Sequence, residues 1–156
     1  MSKKLIAAAV AAVLSVGAAL NALAQDFVVD PAIAGMTVEQ KVEARQNAMR
    51  QNGGIVRGLG EMSPADASIA ASTLIQNLTN LPELFAADTM GADVETKALP
   101  LIWEEKEAFD AIFAAAREHA LAAKAAADAG DVAAAAAAAG QIGPFCGQCH
   151  GKYRAS

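Results

Sequence analysis

Two thiols and an imidazole stand within five residues of one another late in this sequence, in Cys146-Gly147-Gln148-Cys149-His150. Cys-x-x-Cys-His is the attachment signature of a c-type haem. The spacing suits that chemistry: two thiols add across two vinyl groups, and the adjacent imidazole reaches the iron from one face. On a helix, Cys146 and Cys149 lie one turn apart and His150 follows Cys146 at i+4, so all three project from one side. Only six residues follow His150 here, so a sixth iron ligand or a pocket wall is expected from upstream.

Other uses of paired cysteines fit less well. Two cysteines in an exported chain also suit a disulfide, but a redox Cys-x-x-Cys expects a strand-helix-strand setting that this Ala-rich sequence lacks. A tetrahedral zinc site needs a second pair of ligands, and only His119 is left over. One covalently bound haem c is the expected cofactor.

Export is expected from the first residues. Lys3 and Lys4 form a positive segment, Leu5 to Leu20 is apolar, and Ala22-Leu23-Ala24 reads as a cleavage site. Residues 1–24 are thus expected to be a signal peptide, and residues 25–156 one haem domain of the periplasm with no membrane anchor after cleavage. Loss of the two lysines takes the formal charge from −5 to −7, which argues against nucleic acid and anionic membranes as partners.

The elements that must position the motif are helices, with almost no strand pattern. The first is expected over about 37–59: Thr37 with Gln40 makes a capping box, and Val38, Val42, Arg45, Met49, Val56 and Leu59 share a stripe. The second is expected over about 64–81, with Ser63 as N-cap, Pro64 at N1 and a seam of Ala67, Ala71, Leu74, Leu78 and Leu81. The third spans about 100–129, turns Ile102, Phe109, Phe113, Ala116 and Ala120 inward, and ends at Gly130. The fourth starts from Asp131 and runs to Tyr153 through Val132, Ala136, Ala139, Gly143, Cys146 and His150. Pro144 lies inside it beside Gly140 and Gly143, which implies either a bend or a break before the motif. Short links on either side of a longer one, 82–99, imply an all-α, antiparallel up-down-up-down four-helix bundle. A loop of that length is expected to cover a cofactor edge.

With these features together, the chain resembles the class II cytochromes c, the cytochrome c′ family. The resemblance rests on Cys146-x-x-Cys149-His150-x-x-Tyr153-Arg154, on Arg45-Gln46-x-x-Met49, and on Thr96-Lys97-Ala98-x-Pro100-x-Ile102-Trp103. It implies a four-helix bundle with one covalent haem, usually a homodimer packed through the first two helices, that carries electrons or binds NO and CO. By the same resemblance, Cys146 and Cys149 match the thioether cysteines and His150 the axial iron ligand. Arg45 and Gln46 match residues that contact the propionates, Thr96 and Lys97 fall where a loop touches the haem edge, Arg154 matches an arginine beside the axial histidine, and Met49 sits over the other face of the iron.

Two of these stand out from the residues alone. Arg45 lies on an otherwise apolar stripe, and an inward arginine needs an anion; a propionate would serve, or else Arg45 reaches a surface carboxylate such as Glu43 or Glu61. Met49 is either plain core filling or a thioether ligand. The family divides there: an open, five-coordinate iron suits uncharged diatomics, whereas Met/His ligation suits electron transfer. No base accompanies Met49 on its stripe, which argues against a peroxidase. The run Glu104-Glu105-Lys106-Glu107 reads as a solvated face and His119 as a surface residue. The redox partner is not legible.

Overall fold

The computed structural model describes residues 26–156, so the expected leader, residues 1–24, lies outside the described residues. The chain enters through a single 3-10 turn, Pro31–Gly35. Helix α1, Val38–Gly58, then starts at the expected capping box: Gln40 N donates to Thr37 Oγ1 at 3.3 Å, and Thr37 N donates to Gln40 Oε1 at 2.8 Å. A tight turn at Leu59–Glu61 leads to α2, Pro64–Leu84, capped by Ser63. The link to the third helix contains a further 3-10 turn at Ala87–Thr89.

Helices α3, Leu101–Glu104, and α4, Lys106–Asp128, replace the single expected third helix. The break falls at Glu105 (φ −118°, ψ 38°), where neither Gly nor Pro marks the sequence. At the break the Glu105 carboxylate takes hydrogen bonds from Tyr153 and Lys152. Helix α4 ends in a Schellman motif, with Asp131 N bonding Ala126 O and Gly130 N bonding Ala127 O, both at 2.9 Å. Gly130 supplies the left-handed conformation (φ +81°) that this ending requires.

The expected fourth helix is also two, α5, Val132–Gly140, and α6, Gly143–Tyr153. Of the bend and the break, the break is what forms, because Pro144 has no N–H to continue the ladder and is well placed at the start of a new helix. The break shifts the inward face. Ala135, Ala139, Ile142, Cys149 and Tyr153 are buried, rather than the single stripe through Cys146 and His150. In α2 the opposite occurs: the helix runs through Pro82 to Leu84, three residues beyond the expected end.

Side-chain ties between helices give the topology. Ser68, at the start of α2, donates to Asp128 at the end of α4, while Phe85, just past the end of α2, packs on Phe109 at the start of α4; α2 and α4 are therefore antiparallel. Gly60, after α1, approaches Ala136 in α5 so closely that a Cβ there would sit 3.3 Å from the alanine methyl. The helices form an up-down-up-down four-helix bundle whose fourth member is α5 with α6. Its core divides along the axis. One end is small and tight, built on Leu59, Ala67, Ala71, Ala123, Ala127, Ala135 and Ala139. The other is large and aromatic, with Phe85, Phe109, Phe113 and Tyr153 among Leu74, Leu81 and Ile102.

Asp128 also takes two hydrogen bonds from Lys124, at 2.7 and 3.0 Å. Those bonds, and then the one from Ser68, hold its carboxyl below the usual aspartate value. A lowered folded pKa contributes stability that is present above the unfolded value, near 3.9, and is lost as pH falls through the folded one. Asp128→Asn is expected to cost up to about 1 kcal/mol at pH 7, because the pair is partly solvated. In thermal melts the difference from wild type should shrink progressively as the pH falls below about 3.9.

Candidate functional site

At the aromatic end, α1, α6 and the 85–99 segment enclose a cavity of about 420 Å³. Eight of the nine residues expected at the site line it: Arg45, Gln46 and Met49 from α1, Thr96 and Lys97 from the loop, and Cys149, His150 and Arg154 from α6 and its end. Cys146 is exposed and does not line it. Ile102, Phe85, Phe109 and Tyr153 complete an apolar wall. None of the described residues lining the cavity is acidic.

Arg45 is 2% exposed and has no carboxylate partner among the described residues. Its Nη1 donates to Thr89 Oγ1 at 3.0 Å and to Leu84 O at 3.4 Å, its Nη2 donates to Thr96 Oγ1 at 3.2 Å, and its guanidinium carbon lies 4.3 Å from the centre of the Phe85 ring. The expected alternative, an outward reach to Glu43 or Glu61, does not occur, since the neutral oxygens of the loop hold the group inside. Burial pushes the guanidinium down to about 10. It remains charged at neutral pH, so the fold holds a desolvated cation against the cavity with no anion to answer it.

Sequence reading missed the companion of Arg45. Lys41, one turn earlier, is also buried and pairs with Asp88 at 2.6 Å. Its signal was the i, i+4 spacing to Arg45, but its partner is 47 residues away. Gln46 adds a third tie from α1 through Nε2 to Glu95 O at 3.1 Å. From the other side, Leu99 N donates to Tyr153 O at 3.0 Å, Ala155 N donates to Lys97 O at 2.8 Å, and Lys97 Nζ donates to Ser156 O at 3.0 Å. The loop is thus pinned between the first helix and the end of the last.

The donor set suits a covalently held haem. Burial pushes the Cys149 thiol up to about 11, with Cys146 adding to the rise, so Cys149 is a thiol rather than a thiolate. Partial burial, then the Arg154 guanidinium, lowers the His150 imidazole; its neutral form keeps a lone pair for a metal. An apolar wall for a macrocycle and a desolvated arginine for a carboxylate complete the fit. His119, expected at the surface, is half-buried with its ring 5.6 Å from that of Phe145, just before Cys146.

A helical bundle that presents Cys-x-x-Cys-His at the mouth of an apolar, cation-edged cavity has the architecture of a c-type cytochrome. Comparison with known proteins agrees. Residues 39–154 match the family model described as Cytochrome C′, and the chain belongs to the cytochrome c′ family. It is 32% identical over 146 residues to cytochrome c-554 of Cereibacter sphaeroides, covering 87% of this chain and 89% of that one. The crystal structure of cytochrome c′ from Thermochromatium tepidum superposes with a TM-score of 0.66 at 26% identity, over 78% of this chain and 98% of that one. A nitric oxide complex of a variant cytochrome c prime from Alcaligenes xylosoxidans superposes with a TM-score of 0.64 at 25% identity, over 77% and 98% of the two chains. The family implies haem c, and its members are electron carriers or gas binders. Among the described residues, no helix is long and apolar enough to cross a membrane.

Arg45→Lys keeps the charge but cannot reach Leu84, Thr89 and Thr96 together. Hydrogen bonds to a charged group contribute about 1.5–3 kcal/mol, so amide exchange across 86–96 is expected to accelerate at least about tenfold. Hydrogen-exchange mass spectrometry of the variant and wild type checks this.

Proposed function

We propose that the chain is an exported, monohaem c-type cytochrome of the periplasm that transfers single electrons and binds uncharged diatomic gases such as NO and CO at a five-coordinate iron. One observation carries the reading: Arg45, buried without an anion, faces the same cavity as Cys149 and His150. Cys146 and Cys149 are the thioether residues, His150 the axial ligand, and Arg45 with Gln46 the propionate contacts. Thr96 and Lys97 close the edge, and Arg154 stands beside His150. When bound, haem supplies a one-electron iron couple and an axial position open to small ligands.

The chain's own residues decide how that position is used. Met49, Phe85 and Ile102 offer no hydrogen-bond donor, so the pocket favours NO and CO over a ligand that must be steadied by a proton donor. Without a lining carboxylate, and with no histidine in the lining besides His150, the cavity holds no general base to speed O–O cleavage, which supports a carrier or binder rather than a peroxidase. The acidic formal charge speaks against nucleic acid as a partner. The homodimer through α1 and α2 implied by the family resemblance is part of the same reading.

A second reading is favoured by the place of Met49. Its side chain is half-buried and lines the cavity from a different helix than His150, so its thioether is available as a sixth ligand. The protein is then a low-spin electron carrier with a raised potential.

Visible spectra of the matured protein, oxidised, reduced, and reduced with CO, separate the two. Ready CO binding and a broad reduced band are expected for the open form, and Met49→Leu should then change the spectrum little. Sharp α and β bands, with CO reactivity gained only in Met49→Leu, would replace the first reading with the second. Absence of a Soret band would remove both.

A further inference from the structure

The chain has a single tyrosine and a single tryptophan, and both belong to one file of rings that starts at the cavity. Tyr153 lines the cavity and is 2% exposed. Its ring meets Phe109 edge-on with centroids 5.1 Å apart, Phe109 meets Phe85 edge-on at 4.9 Å, and Phe85 lies tilted against Trp103 at 6.5 Å. Trp103 is half-buried, so the far end of the file reaches solvent.

Packing alone accounts for part of this, since edge-to-face pairs add about 0.5–1.5 kcal/mol each. It does not account for the polar atoms at the two ends. Tyr153 Oη donates to Glu105 Oε2 at 2.9 Å, and Lys152 binds the same carboxylate. Those two bonds, Lys152 first, hold Glu105 below the usual carboxylate range, so it is ionised at neutral pH and free to accept a proton. A phenol gives up an electron readily only when its proton leaves in the same event. Trp103 Nε1 donates to Phe85 O and Ala86 O, each at 3.1 Å, which fixes the indole against Phe85. Phenylalanine at 153 or 103 would pack as well, but neither ring could be oxidised.

We propose that Tyr153, with Glu105 as its proton acceptor, and Trp103 form an internal electron relay that reduces strong one-electron oxidants in the cavity and carries the oxidising equivalent to the surface. In the first step Tyr153 gives one electron to the oxidant and its hydroxyl proton to Glu105, leaving a neutral tyrosyl radical and a neutral carboxyl. In the second, Trp103 gives one electron to the tyrosyl through Phe85 and Phe109, and the proton returns from Glu105 to the tyrosyl oxygen. The indole radical cation at Trp103 is then reduced by an external one-electron reductant such as ascorbate. The sum is one electron from the reductant to the oxidant, with every side chain restored. Neutral phenol and indole are hard to oxidise, so ordinary carrier traffic does not engage the relay; it protects the cavity. It rests on the proposed cofactor site only in that the oxidant is formed or admitted there.

The test is electron paramagnetic resonance of the matured holoprotein, mixed with hydrogen peroxide and freeze-quenched, with and without ascorbate. A tyrosyl signal that gives way to a tryptophanyl signal is expected. Tyr153→Phe should abolish the first and speed bleaching of the Soret band severalfold. Trp103→Phe should make the tyrosyl signal at least tenfold longer-lived in ascorbate. Glu105→Gln, with an unchanged far-ultraviolet spectrum, should delay tyrosyl formation at least tenfold. Failure to see a radical at Tyr153, whether or not peroxide is consumed, overturns the relay, as does an unaltered lifetime in Trp103→Phe. A matured protein without a Soret band overturns the cofactor reading instead.

Discussion

A cation held out of water against an apolar cavity, answered only by neutral oxygens and one aromatic face, is the interaction on which this structure turns. Arg45 cannot shed its proton at neutral pH, and removing an unpaired charge from water is expensive. The fold meets part of that cost with Thr89, Thr96, the Leu84 carbonyl and the Phe85 ring. All four lie in the long link between α2 and α3 or at its threshold, so the conformation of the link is set from α1. An anion that enters the cavity meets a charge whose water has already been stripped away. The penalty was met when the chain folded, and the encounter keeps most of its electrostatic gain.

The two ends of the bundle show how a sequence this rich in alanine makes room for a large apolar group. Where Ala67, Ala71, Ala123, Ala127, Ala135 and Ala139 face one another, backbones approach closely and little space remains. Toward the other end the side chains grow, the fourth helix breaks at Gln141–Ile142, and the third breaks at Glu105. Each break sets off a short helix, α3 or α6, whose residues line the cavity. Tight packing at one end and interruption at the other together open a cavity, and among the described residues no buried side-chain polar atom is left without a partner.

Legibility in the sequence followed the range of the physics. The capping box at Thr37, the Ser63 cap, the Gly130 ending and the seam of α2 are decided within a turn or two, and the structure matches them. Pro144, flanked by glycines, announced a disturbance, although choosing between bend and break required the packed neighbours. Glu105 gave no local sign of its helix break, and the partners of its carboxylate, Lys152 and Tyr153, lie almost fifty residues on. Lys41 was hidden for the same reason, with Asp88 across the loop. Site residues were readable as chemistry, in Cys-x-x-Cys-His and in an arginine on an apolar stripe; that eight of the nine expected side chains share one cavity could only be seen once the loop was in place.

The short antiparallel pairing of Ala98 with Arg154 ties the segment over the cavity to the residues just past the His150 helix. Two stretches separated by most of the third and fourth helices therefore share backbone hydrogen bonds, and neither can peel away without breaking the bonds of the other. In the language of sub-global opening they are one cooperative unit. Access to the interior at this end is thus governed by a concerted event with a single free energy, and a fluctuation that loosens the roof loosens the floor in the same instant.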